Sequence, residues 1–439
     1  MQMAKEYGAI YTIWSLTFPV VIASGYEAVK EMLINHSEVF SGRPVTPFYT
    51  AIAHGKGIVL SNGHTWKQQR KFGIATMRKL GMGKKGVQGQ IEDEARELVE
   101  TFARAKGQPL DPSSSILASF FNVICALVFG HRYPVDDKDF LMLVEANDYN
   151  NKFGGTFFHL MYEAVPWLMK HIKWPYKEAF AAVDVVLSHA RKETEAHRAQ
   201  LAVHDPRDFI DYYLLQMEKS KNDPTSTYDD TNLFYCISDL LLAGSETTSA
   251  TLQWGLLLMV THPDIQEKVQ KEMEDAFGSS QTIGYQDRKK LPYTLATIHE
   301  SQRFKTILLT GNPRQSLQDV TILGSFIPKG TMVIPDVHSI LFDPKIWETP
   351  RKFNPNHFLD KDGKFVDREE LLIFGAGARM CLGKEMARME LFTFFTSLLR
   401  AFTFKLPEGV TDVSLEPIWG LIMSPQRYKL CAVPRFSES

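Results

Sequence analysis

From Asp230 to Thr261 the chain holds an unbroken helical pattern of about 32 residues, ended by His262-Pro263. At the standard rise such a helix is roughly 48 Å long, and most of it is apolar. A helix of that length and character has to cross the middle of a large protein, with the remaining elements arranged around it. The 439 residues, 44% of them hydrophobic, are enough to bury it.

The rest of the pattern fits that frame. Short β-rich runs at 10–14 and 18–22 read as a hairpin. Helical periodicity follows at 26–35, 64–77, 91–104 and 114–128. The stretch 153–171 is rich in aromatics and Met and carries the helix breaker Pro166, and a charged helix runs from 176 to about 197. Beyond the long helix, 263–277 and 291–306 are helical, while 321–323 and 331–335 look like strands. An irregular Pro-rich segment at 343–360 leads to a Gly-rich turn, a helix over 384–400 and a last strand over 429–433. The reading is mostly α, one domain over 1–439, with small sheets at the two ends of the chain.

Composition removes several alternatives. Lys+Arg number 49 against 51 Asp+Glu, so no global basic field suits nucleic acid. Cys125, Cys236, Cys381 and Cys431 lie far apart without a CxxC pair, which excludes a disulfide framework and a cysteine zinc site. No apolar run reaches the roughly 18 residues of a membrane span. The glycosylation-type triplet Asn35-His36-Ser37 reads as a chance match.

The sharpest local signal is Phe374-Gly375-Ala376-Gly377-Ala378-Arg379-Met380-Cys381-Leu382-Gly383, which leads into a helix. Its glycines let the backbone approach a partner closely and turn N–H groups toward one point. A cysteine just ahead of a helix N-terminus is favoured as a thiolate, hence as a metal ligand or a nucleophile. Arg379 offers a fork for a carboxylate. A dinucleotide-binding turn is a rival reading, opposed by Met380 at the third glycine position and by the lack of a βαβ pattern. A buried structural cysteine is another. Within the long helix, Ala243-Gly244-Ser245-Glu246-Thr247-Thr248 places an acid and a hydroxyl in one turn, with room left by Gly244. Such a pair can relay protons, although a mid-helix Thr commonly bonds back to its own helix. Glu300 and Arg303 share a helix face and can pair, and so do Trp66 and Arg70, which can grip a carboxylate.

In their order and spacing these four segments resemble the cytochrome P450 superfamily: WxxxR at 66–70, AGx[DE]T[TS] at 243–248, ExxR at 300–303 and FxxGxRxCxG at 374–383. Asn62-Gly63-His64-Thr65-Trp66 and Phe353-Asn354-Pro355 are similar to the vertebrate microsomal family 2. The resemblance implies a fold of about 13 helices with small antiparallel sheets, and a haem b whose iron takes the Cys381 thiolate. It implies Trp66, Arg70, Arg314, Phe374 and Arg379 around the haem, and Glu246 and Thr247 as proton donors to dioxygen. Glu300 and Arg303 become an internal clamp, whose usual third member, an arginine, is replaced here by His357. Phe153, Phe157, Phe158, Leu240, Ala243, Ile307, Leu308, Leu421 and Ile422 fall where the family lines its substrate pocket.

The implied activity is insertion of one oxygen atom from dioxygen into a lipophile, either a polyunsaturated fatty acid or a xenobiotic. Electrons would come from NADPH–cytochrome reductase, with cytochrome b5 competing for the same surface. The implied location is the cytosolic face of the endoplasmic reticulum, with the anchor helix missing from this chain. A haem-thiolate isomerase or synthase acting on peroxides and a non-catalytic haem protein are the alternatives; the intact Glu246-Thr247 pair argues against the first.

Two surface features bear on partners. Lys67, Arg70, Lys71, Arg78, Lys79, Lys84 and Lys85 fall between 61 and 91 without a single Asp or Glu, a local positive field suited to an acidic redox partner. Trp167, Leu168, Met169, Ile172 and Trp174, interleaved with Lys170 and Lys173, suit contact with lipid.

Overall fold

A computed structural model describes residues 2–15, 18–81, 85–172, 174–201, 205–278 and 283–436. The long helix runs from Asp230 to Thr261, as its pattern predicts. Asp229 caps it by accepting the Asn232 N–H at 2.7 Å, and it ends at His262 because Pro263 cannot continue it. From Thr248 onward nearly every residue is buried.

Two further helices lean on this axis, Ser113–Phe129 and Lys384–Ala401. Gly244 permits the first: a Cβ there would fall 2.5 Å from Ile124 Cδ1. The room expected beside Glu246 is therefore filled by Ile124. The largest cluster of buried apolar side chains extends from Ile58 to Ala432 around the same helix.

Sixteen α-helical segments occur among the described residues. Pro263–Phe277 has the expected ends, and Lys384–Ala401 exceeds its expectation by one residue. The run at 26–35 divides into an α-turn, Tyr26–Lys30, and a wider π-type turn, Glu31–Asn35. Pro166 opens the short helix Pro166–Met169 rather than interrupting a longer one. Four helices lack a legible pattern: Pro47–Ala53, Lys138–Phe153, Phe209–Lys219 and the short Val337–Leu341. In the second, Asn147, Asp148, Asn150 and Asn151 are weak helix formers, and packing against Tyr176–Gln200 decides the outcome.

The predicted hairpin, Ile10–Ser15 with Phe18–Ser24, forms one edge of a four-stranded sheet. Phe18–Ser24 pairs in parallel with Met332–Asp336, and Arg314–Gln315 lies beyond that strand. Through the Gln315 N–H, which donates to Gly42 O at 2.8 Å, the sheet brings Arg314 close to the segment that follows the first helical turn. A three-stranded antiparallel sheet of Pro109–Leu110, Leu430–Pro434 and Phe402–Lys405 gathers the C-terminal strands.

Candidate active site

Cys381 closes a loop folded by two left-handed glycines, Gly375 (φ 64°) and Gly377 (φ 68°). The Cys381 N–H donates to Phe374 O at 2.9 Å and the Met380 N–H to Gly377 O at 3.0 Å. No side chain fits at position 377, where a Cβ would run into the Leu33 carbonyl and fall 2.6 Å from Ser37 Oγ. Cys381 presents accessible surface, yet burial pushes its thiol above the ordinary cysteine value, opposed by the Gly383 N–H and the charges of Arg70 and Lys384. A side chain both accessible and desolvated faces a recess rather than bulk water. Cys125 and Cys236, by contrast, are fully buried, and burial drives their thiols well up, which leaves them unreactive.

Arginines converge beside this loop. Arg70 donates to the carbonyl of Met380, the residue before the cysteine. Arg379 stacks on the Trp66 ring, its guanidinium carbon 4.0 Å from the centre. It donates to the carbonyls of Ser41 (2.8 Å), Ile58 (3.2 Å) and Ser61 (2.7 Å), so it braces the segment 41–62 against the loop. Arg314 is also buried, but its Nε and Nη1 have no partner among the described residues, and neither has Trp66 Nε1. Arg43, which no local pattern marked, completes the group, donating to Val59 O at 3.1 Å and Pro313 O at 2.8 Å. Burial holds Arg43, Arg314 and Arg379 well below the ordinary arginine range; neighbouring arginines add to it at Arg314 and Arg379, while at Arg43 Tyr49 opposes it. The neighbouring acid Asp239 was also missed. Burial raises it to about 6, and its Oδ2 accepts the Ile58 and Val59 N–H groups at 2.6 and 2.9 Å. Buried guanidinium groups with donors to spare call for carboxylates.

On the long helix, Ala243 is exposed although it lies midway along a core element. Thr247 Oγ1 donates to Ala243 O at 2.7 Å, and Thr248 does the same to Gly244 O at 2.7 Å. The Thr247 hydroxyl thus bonds back to its own helix and keeps its lone pairs for a neighbour. Glu246 is buried, its Oε1 without a partner among the described residues, and burial, reinforced by Asp148 and opposed by Lys152, raises it to about 7.

Behind the loop, Glu300 and Arg303 form a fully buried bidentate pair, both contacts at 2.7 Å. Arg303 also donates to Leu341 O, Pro350 O and Lys352 O, and Glu300 accepts the Asn354 N–H at 2.8 Å. His357 occupies the third place. Its Nε2 accepts the Thr349 N–H, which puts the ring proton on Nδ1, 3.2 Å from both Glu300 oxygens.

The expected pocket residues fall into two groups. Ile307, Leu421 and Ile422 are stitched around the long helix: Leu421 N–H and Ile422 N–H donate to Asn151, Met423 N–H to Ile307 O, and Trp254 Nε1 to Met423 O. Leu240 is half-buried on the same helix, and the Leu308 N–H donates to Thr306 Oγ1. Phe153 lies instead in an outer aromatic cluster with Phe48 and Tyr176, and Phe158 packs edge-on to Trp174. Phe157 is 69% exposed, because the turn capped by Thr156 points the first residue of its helix outward.

These placements meet what comparison with known proteins finds: residues 1–432 match the family model for cytochrome P450. The chain belongs to the cytochrome P450 family. It is 39% identical over 435 residues to cytochrome P450 2C23 of Rattus norvegicus, covering 99% of this chain and 88% of the rat protein. Cytochrome P450 2K1 of Oncorhynchus mykiss is 40% identical over 443 residues (99% and 86%), and cytochrome P450 2B4 of Oryctolagus cuniculus 39% over 417 residues (95% and 85%). The protein is accordingly a haem-thiolate monooxygenase, an oxidoreductase that takes electrons from a reductase and oxidises lipophilic substrates. The residues present fit a haem b: one open cysteine, and unpartnered donors on Trp66 and Arg314 for its two carboxylates.

Proposed function

We propose that Cys381 is the iron ligand and that Trp66 Nε1, Arg70 and Arg314 hold the haem carboxylates, with Phe374 packed beside the cysteine loop. Arg379 serves from behind, holding Trp66 and the segment 41–62 in place. The observation that carries this reading is the set of buried, unpartnered donors on Trp66 and Arg314 within an arginine cluster beside an accessible cysteine. When bound, the haem supplies the metal at which dioxygen is reduced. Glu246, near neutrality in its pKa, and Thr247, with free lone pairs, would hold and pass protons from the long helix. A core running from Ile58 to Ala432 supports reading the chain as one catalytic unit.

The substrate proposed is a polyunsaturated fatty acid or an apolar xenobiotic, supported by the apolar side chains of Leu240, Ala243, Ile307, Leu421 and Ile422. NADPH–cytochrome reductase, with cytochrome b5 as competitor, would dock on the helix Gly63–Lys79, where Lys71, Arg78 and Lys79 are exposed. Lys67 is exposed too, though within 3.9 Å of Glu38. Lys84 and the side chain of Lys85 lie outside the described residues. The location proposed is the cytosolic face of the endoplasmic reticulum membrane. Among the described residues no helix is long and apolar enough to cross a membrane. Trp167 (66% exposed), Leu168, Ile172 and Trp174 (63%) form an outer apolar patch that supports contact with lipid, whereas Met169 is buried in the aromatic cluster and takes no part. Lys173 lies outside the described residues.

The deciding experiment replaces each cysteine by serine and records the carbon monoxide difference spectrum of the reduced protein. Loss of the thiolate-type band in Cys381→Ser alone is the expected result; its survival there would overturn the ligand assignment. Turnover of a panel of fatty acids and drugs, with NADPH and reductase, then separates the two substrate classes.

A further inference from the structure

The segment from Leu33 to Arg43 lies along the outer side of the cysteine loop, and one of its side chains bonds to that loop. Ser37 Oγ accepts the Ala378 N–H at 2.7 Å, across 341 positions of sequence. The approach is close enough that Gly377 can carry no side chain against Leu33 and Ser37. The remaining ties of the loop are of other kinds. Main-chain bonds join Cys381 to Phe374 and Met380 to Gly377, and arginine side chains reach Met380 O and Ser41 O. Between the left-handed glycines and Arg379, the Ser37 hydroxyl is what fixes the backbone.

We infer that Ser37 is a positioning residue for the thiolate: by holding Ala378 it sets the register in which Met380, directly before the cysteine, offers its carbonyl to Arg70. The physical reason is local. Ala378 is half-buried, so its N–H without Ser37 turns toward water, and the neighbouring ties of the run 378–381, at Met380, Cys381 and Arg379, must then take up that rotation. Arg70 bonds the carbonyl of Met380, the residue directly before the cysteine, so a shift of the loop's register reaches the ligand atom. The triplet Asn35-His36-Ser37 thereby acquires a structural use, Asn35 bonding to Glu31 and Ser37 to the loop.

The test uses the haem-loaded enzyme with Ser37→Ala, Ser37→Thr and Ser37→Cys. The rate at which the thiolate-type band of the reduced carbon monoxide complex converts to the thiol-type band is followed at fixed temperature, together with the reduction potential. Ser37→Ala is expected to convert about five-fold faster, the factor an ordinary hydrogen bond is worth, and to move the potential. Ser37→Thr, which keeps the hydroxyl, should hold both at wild-type values. An Ala variant indistinguishable from wild type, or a Thr variant as labile as Ala, overturns the inference. If Ser37→Ala takes up no haem, Ser37→Cys decides, since it keeps the volume but accepts hydrogen bonds weakly; a wild-type conversion rate there overturns the inference equally. The inference rests on Cys381 as ligand, and a wild-type protein with no thiolate-type band would instead sink that assignment.

Discussion

Glu300→Gln is the substitution whose cost the structure defines best. Glu300 accepts two hydrogen bonds from Arg303 at 2.7 Å and one from the Asn354 N–H at 2.8 Å, and neither charged side chain reaches solvent. A glutamine has nearly the same shape, but its amide nitrogen turns donors toward a guanidinium that only donates. The larger loss is charge: Arg303 becomes a buried cation without its counter-ion, a change that costs about 3–5 kcal/mol. Three backbone carbonyls, of Leu341, Pro350 and Lys352, still accept from Arg303 and place the expectation near the lower end, ~3 kcal/mol. His357→Ala removes a neutral donor from the same carboxylate and should cost only about 1 kcal/mol. Guanidinium unfolding followed by circular dichroism, on haem-loaded and haem-stripped protein, measures both, because haem binding adds its own stabilisation to the native state. A haem-stripped Glu300→Gln protein within about 0.5 kcal/mol of wild type, the range of an ordinary surface change, would refute the reasoning. The clamp would then not be holding the fold.

Three shorter predictions follow from the site. Glu246 is raised from its ordinary value to about 7 by burial, so its neutral form favours the folded state; that contribution is complete below about pH 4.5 and fades as the pH rises through 7. Glu246→Gln should therefore flatten the decline of stability across that window, and an unchanged slope in a pH series of unfolding midpoints would count against it. Thr247→Ala should retain haem but divert reducing equivalents to peroxide, read as the ratio of NADPH consumed to product formed; unchanged coupling removes Thr247 from proton delivery. Reversing the charges of Lys71, Arg78 and Lys79 should slow reductase-driven turnover and reduce its salt sensitivity while sparing peroxide-driven turnover. Equal losses in both assays would show that these residues support folding instead of docking.

What could be foreseen here depends on how far apart in sequence the partners of each feature lie. The long helix and its ends were legible because periodicity, Asp229 and Pro263 are local causes. Glu300 with Arg303, and Glu246 with Thr247, were legible for the same reason, each pair lying within one helical turn. The third clamp member was visible only as a departure, His357 in place of arginine. Its neutral tautomer depended on Thr349, eight residues away in an irregular segment. Arg43 and Asp239 left no trace, since each acts across a gap: Arg43 reaches Pro313, 270 positions on, and Asp239 reaches Ile58, 181 positions back. Helix Lys138–Phe153 failed differently, because its asparagines hide a helix that packing imposes, and Asn151 then uses its polarity to hold Leu421 and Ile422. The motifs thus report the chemistry, which needs particular groups at short spacing, while the brackets that hold those motifs in register are long-range and chemically ordinary. Ser37 belongs to that second class: a single hydroxyl, visible in sequence only as the end of a chance triplet, acquires meaning only when the fold lays it against Ala378.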